Sequence, residues 1–243
     1  MHVSDERVFR LMPIIEPILE KVDAVALEYD IGIAFSDEEM ARVLLAPQPL
    51  DQVLGEKKFS KLEKIIAKSF GVEISPMVDI QPFLIAQRIS QSILAKDREA
   101  ELDLHLWQRA QALGKEVIGL EDPAEHLAVL ERIPYETQVK MLLEIGRRPF
   151  KMRRHVRHML DLYEKGEIYR LHRLLRRHAL GMRHVLVFDR NIRMADRIAS
   201  LCKEKTLFAA VGVGHLAGGK GIIRLLKKQG FKLKPVPMLP LHD

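Results

Sequence analysis

Apolar positions along the chain change period several times, and each change marks an element. Val22-Asp-Ala-Val-Ala-Leu-Glu28 is a short Val-rich run suited to a buried strand, and Pro13 can open the helical stretch before it. Ser4, followed by Asp5 and Glu6, reads as the cap and acidic first turn of a short helix ahead of that stretch. Helical periodicity then predicts helices over 37–46 and 58–69, and a mostly helical segment over 84–113 that closes at Gly114. Residues 116–121 read as a strand, and Pro123 begins a helical region reaching about 145. Met152, Val156, Met159 and Tyr163 form one stripe, as do Ile168, Leu171 and Leu175, so two helices are expected over 150–163 and 167–179, broken at Gly166. Beyond Gly181 strands are expected at 184–188, 207–211 and 232–236, with helices over 191–203 and 221–229 between them. The pattern is that of an α/β domain with strands at both ends of the sequence and a long helical insert over about 37–180. No low-complexity linker divides it, so a single domain over 1–243 is expected.

Composition narrows the class. Of 243 residues 47% are apolar and 30% charged, which is ordinary for a globular chain and argues against disorder. Cys202 is the only cysteine, so no disulfide can form within the chain. No apolar run approaches the roughly 18 residues of a membrane span. The opening residues, MHVSDERVFR, contain no apolar core of a signal peptide. A single thiol and no leader point to a cytoplasmic protein, an expectation that a signal sequence upstream of Met1 would reverse.

The net charge is +6, but twelve Lys/Arg and three acids lie between Arg147 and Arg183, a local +9 that leaves −3 for the remainder. Such a block can mark a surface for nucleic acid or acidic membrane. Its helical spacing suits the solvated face of two amphipathic helices better, and an aromatic fraction of 6% offers little for stacking on bases. Nucleic acid is therefore the least favoured partner.

The most informative stretch is Phe208-Ala-Ala-Val-Gly-Val-Gly-His-Leu-Ala-Gly-Gly-Lys-Gly221. A strand delivers Gly212 and Gly214, which let backbone come close in a tight bend, and then projects His215 at the edge where α/β sheets place their sites. A turn histidine packing a strand–helix corner is the plainer reading. Phosphate binding is a weak one, because the glycine spacing fits neither the Walker nor the dinucleotide fingerprint.

Gly212-Val-Gly-His215 with Leu216 and the Gly218/Gly221 turn, Asp189-Arg-Asn191, Met194-Ala195, Gly119-Leu-Glu121, Pro82-Phe83 and Leu102-Asp103 together resemble the TraB/PrgY/GumN group, which is related to the Tiki metalloproteases. That group carries a Gly-x-x-His motif near each end of its domain. Here the second is intact, whereas His2 matches the histidine of the first without its glycine or the strand before it. A start assigned at an internal Met is the expected cause. With that strand restored, the two ends read as rough copies, and the expected sheet is mixed and built from two related end segments.

The resemblance implies a metal-dependent hydrolase, most simply a peptidase. His2, Glu28 and His215 would hold a divalent ion (Mn, Co, Zn or Fe) in a cleft formed by both ends of the chain. Glu121 would act as a further ligand or general base, and Arg190, beside Asn191, would hold a substrate carboxylate or an oxyanion. Each has a structural alternative: Glu28 as a helix cap or partner of Arg190, Glu121 as an electrostatic cap before Pro123, and Arg190 as a buried counterion. A non-catalytic protein of the same fold, capturing a peptide or small molecule, is the competing function. The remaining histidines carry less. His155 and His158 share a helical face with Arg153, Arg154 and Arg157, and His172, His178 and His184 lie in the same basic region. His105, His126 and His242 have no supporting pattern.

Overall fold

The computed structural model describes residues 3–178 and 184–237. The chain divides into two compact units, one comprising Met1–Ala34, Lys96–His126 and Met159–Asp243, the other Phe35–Ala95 and Leu127–His158.

The first unit is α/β. Three strands, β1 (Ala24–Leu27), β2 (Glu116–Gly119) and β3 (Leu207–Ala209), form a parallel sheet in the order β2-β1-β3. β1 is central and every one of its residues is buried, which explains a run with no polar position. Its alternate side chains enter two different cores. Ala26 packs with Leu120, Met194, Ala195, Ile198, Ile222 and Leu226. Val25 and Leu27 pack with Leu19, Val22, Leu106 and Ala110. Helices Asp189–Leu201 and Ile222–Lys228 thus cover one face, and helices Met12–Lys21 and Leu102–Ala112 the other.

The second unit is helical. Leu50, Leu62, Ile66, Phe70, Ile85, Ile89, Val139 and Leu142 form its core, drawn from helices Leu50–Leu54, Glu56–Phe70, Pro82–Gln91 and Tyr135–Arg147. Ser36 caps helix Asp37–Leu44 in a full capping box with Glu39. Gly71, at φ 67°, closes Glu56–Phe70 in the left-handed conformation.

Several expectations are corrected. The sheet is wholly parallel among the described residues, not mixed, whereas the strand expected at 116–121 is present as β2 inside the long insert. Residues 184–188 form a π-helical turn, not a strand. Phe188 already has right-handed helical angles, so this apolar run continues straight into Asp189–Leu201. Four apolar residues after His184 are too few to separate a strand from a helical turn. Residues 232–236 carry no strand either. Pro235 and, just beyond, Pro237 have no N–H to donate to a ladder. Among the described residues the two ends of the chain therefore contribute one strand each, without a repeated pair. Asp5, not Ser4, caps the first short helix, accepting from Arg7 N. The segment over 84–113 is two helices separated by residues 92–101, and Pro134 divides the region after Pro123.

Gly119 ends β2 where no side chain fits, since an added Cβ would lie 2.9 Å from the Glu121 carbonyl oxygen and 3.0 Å from Asp30 N. Both neighbours are backbone and cannot swing aside. Gly119→Ala is expected to destabilise the protein by about 1–3 kcal/mol, read as a lower urea midpoint. An unchanged midpoint would show that the strand ends are looser than described.

Candidate functional site

Parallel pairing brings all three strand ends to one edge, and the hydrogen-bond ladder carries the register past the strands themselves. Leu120 N donates to Leu27 O and Glu121 N to Glu28 O, both at 2.8 Å, so Glu121 lies beside Glu28. On the other side Ala210 N donates to Ala26 O at 2.8 Å, and the chain then turns through Gly212 into the 3₁₀ turn Val213–His215. Gly212 N donates to Glu28 Oε1 at 2.6 Å. A Cβ on Gly212 would stand 2.8 Å from that same oxygen, so a larger residue here would push on the Glu28 carboxylate. Gly214 is under less constraint, with Leu175 Cδ1 at 3.4 Å from its would-be Cβ.

Helix Asp189–Leu201 supplies the partners from its first turn. Arg190 and Asn191 are both buried there. The Arg190 guanidinium donates through Nε to both Glu121 oxygens at 3.0 and 2.9 Å, and through Nη2 to Glu121 Oε2 at 2.6 Å. Nη2 also donates to Glu28 Oε2 at 2.7 Å. Arg193, one turn on, adds a second cation 3.3 Å from Glu121 Oε1. The Glu121 side chain is 0% exposed, so this pairing is what permits its charge.

His215 completes the group. Its Nε2 lies 3.8 Å from Glu28 Oε1 and 3.5 Å from Arg190 Nη1, and its Nδ1 lies 2.6 Å from Asn191 Oδ1. Asn191 Nδ2 donates in turn to the Lys220 carbonyl at 2.7 Å. Burial pushes the imidazole pKa below its ordinary value, and the Arg190 charge pushes the same way against the pull of the two carboxylates. Burial alone would raise Glu28, but the charges of His215 and Arg190 and the Gly212 N–H outweigh it and hold the carboxyl at about 2. With His215 neutral near neutral pH, Arg190 and the Gly212 N–H still favour the ionised Glu28 carboxyl.

The structure thus brings Glu28, Glu121, Arg190, Asn191, Gly212 and His215 together. His2 lies outside the described residues, as does His242, and so do the side chains of His126 and His178. His172, expected on a solvated basic face, is instead half-buried against the Gly218 turn, with its Nε2 2.6 Å from where a Gly218 Cβ would stand. His105 packs edge-on against Phe9 in the same unit, and His158 is exposed. Sequence reasoning missed Arg193, whose only signal is its i,i+3 spacing from Arg190. It also missed the Lys220 carbonyl, a backbone group with no signature of its own. Among the described residues no three His, Cys, Asp or Glu side chains are grouped to hold a metal. Glu28 and His215 supply two donors of the right kind. No described helix is long and apolar enough to cross a membrane.

The family model of the TraB/PrgY/gumN family matches residues 1–235. Among curated proteins, 64 residues are 38% identical to "Metalloprotease TIKI1" of Danio rerio, covering 25% of this chain and 13% of that protein. Another 64-residue alignment is 42% identical to "Metalloprotease TIKI homolog" of Nematostella vectensis, covering 24% and 14%. A third, over 58 residues, is 38% identical to "Metalloprotease TIKI2" of Xenopus tropicalis, covering 23% and 11%. The matches therefore span only 11% to 14% of these relatives' lengths. No solved structure matches.

Two consequences can be measured. Arg190→Met removes the main counterion of buried Glu121, leaving Arg193 at 3.3 Å, and is expected to cost about 3–5 kcal/mol in urea unfolding, with Arg190→Met/Glu121→Leu recovering part of the loss. Equal stability of wild type and single variant would mean that Glu121 does not depend on its guanidinium. Acid should also destabilise the fold. The lowered His215 pKa means that the unfolded chain binds protons more readily, so stability is complete above about 6.5 and declines below it. The Glu28 contribution is present above its unfolded value of 4.5 and is lost as pH falls through about 2. Thermal unfolding of His215→Gln should be flatter between pH 7 and 5 than that of wild type, and an identical profile would contradict the assignment.

Proposed function

The chain belongs to the TraB/PrgY/gumN family, and on that footing we propose that it is a metal-dependent hydrolase of peptide bonds with its site at the C-terminal edge of the parallel sheet. The observation that carries this reading is the approach of Glu28 Oε1 and His215 Nε2 to 3.8 Å. Metal bonds to such atoms are about 2.0–2.2 Å, so one ion can touch both. Imidazole with carboxylate is the donor chemistry of a divalent Zn, Mn, Co or Fe site, with His2 as the proposed third ligand. The names of the partial relatives, each a metalloprotease, support the same reading. The family match over residues 1–235 supports treating both units as one family domain. Bound there, the ion would supply a water acidified to a pKa of about 7 and polarise a substrate carbonyl.

The chain's own residues prepare for that ion. Burial favours a neutral His215, and Arg190 with Gly212 N–H favours an ionised Glu28, the two protonation states that ligation requires. Arg190 Nη1 faces His215 Nε2 at 3.5 Å and is the donor we assign to a substrate carboxylate or developing oxyanion. Glu121, with Arg190 donating to both its oxygens, anchors that guanidinium.

The guanidinium also favours a second reading. A positive group 2.7 Å from Glu28 Oε2 opposes a second cation and suits an anionic ligand, as in a non-catalytic protein that captures a carboxylate-bearing peptide or small molecule. Metal stoichiometry by mass spectrometry, on protein purified without chelator, separates the two. About one Mn, Co, Zn or Fe per chain, lost in His215→Ala, is the expected result. No metal in either protein, even after divalent ions are added back, would leave ligand capture as the function.

A further inference from the structure

The Gly-rich turn after His215 fits no phosphate-binding pattern, yet its backbone is tightly specified. Gly218 has φ 98°, and a Cβ on Gly221 would lie 2.4 Å from the Ala217 carbonyl oxygen and 2.5 Å from that of Leu216. What this compact turn delivers to the site is the Lys220 carbonyl, 2.7 Å from Asn191 Nδ2. A carbonyl can only accept, so the amide nitrogen of Asn191 must face Lys220 and its oxygen must face His215. Asn191 Oδ1, 2.6 Å from His215 Nδ1, is likewise only an acceptor, so Nδ1 carries the proton. An independent contact agrees. Arg190 Nη1, 3.5 Å from Nε2 on the far side of the ring, has only protons to offer, which favours a lone pair on Nε2.

We propose that Asn191, oriented by the Lys220 carbonyl, is a positioning residue that locks His215 in the Nδ1–H form and leaves the Nε2 lone pair on the side of the ring where Arg190 Nη1 and Glu28 Oε1 lie. This rests on the hydrolase reading for its purpose, because a ligating histidine needs its other nitrogen tied to an acceptor. The lock itself is a property of the metal-free chain. Asn191 is only 1% exposed and His215 7%, so water does not readily substitute for either partner. The turn glycines are accordingly there to bring a carbonyl down onto an amide.

The test is ¹⁵N NMR of the histidine rings in the full chain without metal at pH 7.5, with the His215 signals assigned by their loss in His215→Gln. The expected wild-type spectrum shows the proton on Nδ1. Asn191→Leu, which removes the acceptor, should shift His215 toward the Nε2–H form or a mixture, and Zn²⁺ affinity by competition titration should fall by about 10–100-fold. Asn191→Asp keeps an acceptor toward Nδ1 and should retain the wild-type tautomer. Nε2–H in the wild type would overturn the proposal without any variant, as would an unchanged His215 spectrum in folded Asn191→Leu. If the tautomer behaves as expected but wild type binds no Zn²⁺, the lock stands and the hydrolase reading fails.

Discussion

Glu121 is a carboxylate taken wholly out of water, and a lone buried charge costs several kcal/mol unless a cation with good geometry stands beside it. The Arg190 guanidinium is that cation, and its planar fork lets it donate to Glu121 and Glu28 at once. Much follows from that sharing. The two acids sit at the ends of adjacent parallel strands, and the guanidinium comes from the first turn of a helix packed on the same sheet. The contact therefore ties β1, β2 and helix Asp189–Leu201 together where the strands stop. It also fixes Glu28, whose other oxygen is taken by Gly212 N–H at the end of β3's turn. All three strands are thereby joined through one carboxylate.

This geometry gives the site an internal tension. The first turn of one helix provides both Arg190, whose charge opposes a metal cation, and Asn191, which on the proposed reading prepares His215 as a ligand. Glu28 is ionised by the same guanidinium that would repel an incoming ion. Hydrolysis needs both influences, because a positive group that neutralises a carboxylate can also hold a negative transition state. Ligand capture needs only the first.

Much of this was legible in the sequence, and for physical reasons. The run over 24–27 is apolar without alternation because β1 is covered on both faces. The stretch over 208–221 stands out through its glycines, and Gly212 is where the backbone meets the Glu28 carboxylate. Arg190 and Asn191 could be named from the family likeness, although the strand expected before them is a helical turn. What the sequence hid were decisions made by tertiary context. A short run such as 184–188, with four apolar residues after His184, satisfies a strand or a helical turn equally well, and the adjoining helix decides it. The mixed sheet rested on symmetry between the chain ends, which the prolines at 235 and 237 break. The role of Lys220 lies in its carbonyl, a group common to every residue.

The most direct measurement is X-ray absorption at the zinc edge of protein loaded with one equivalent of Zn²⁺. Ligation by His215 and Glu28 predicts a first shell of nitrogen and oxygen at about 2.0–2.1 Å, with an imidazole scattering pattern that weakens in His215→Gln. A shell that is the same in wild type and variant would place the ion elsewhere and contradict the site described.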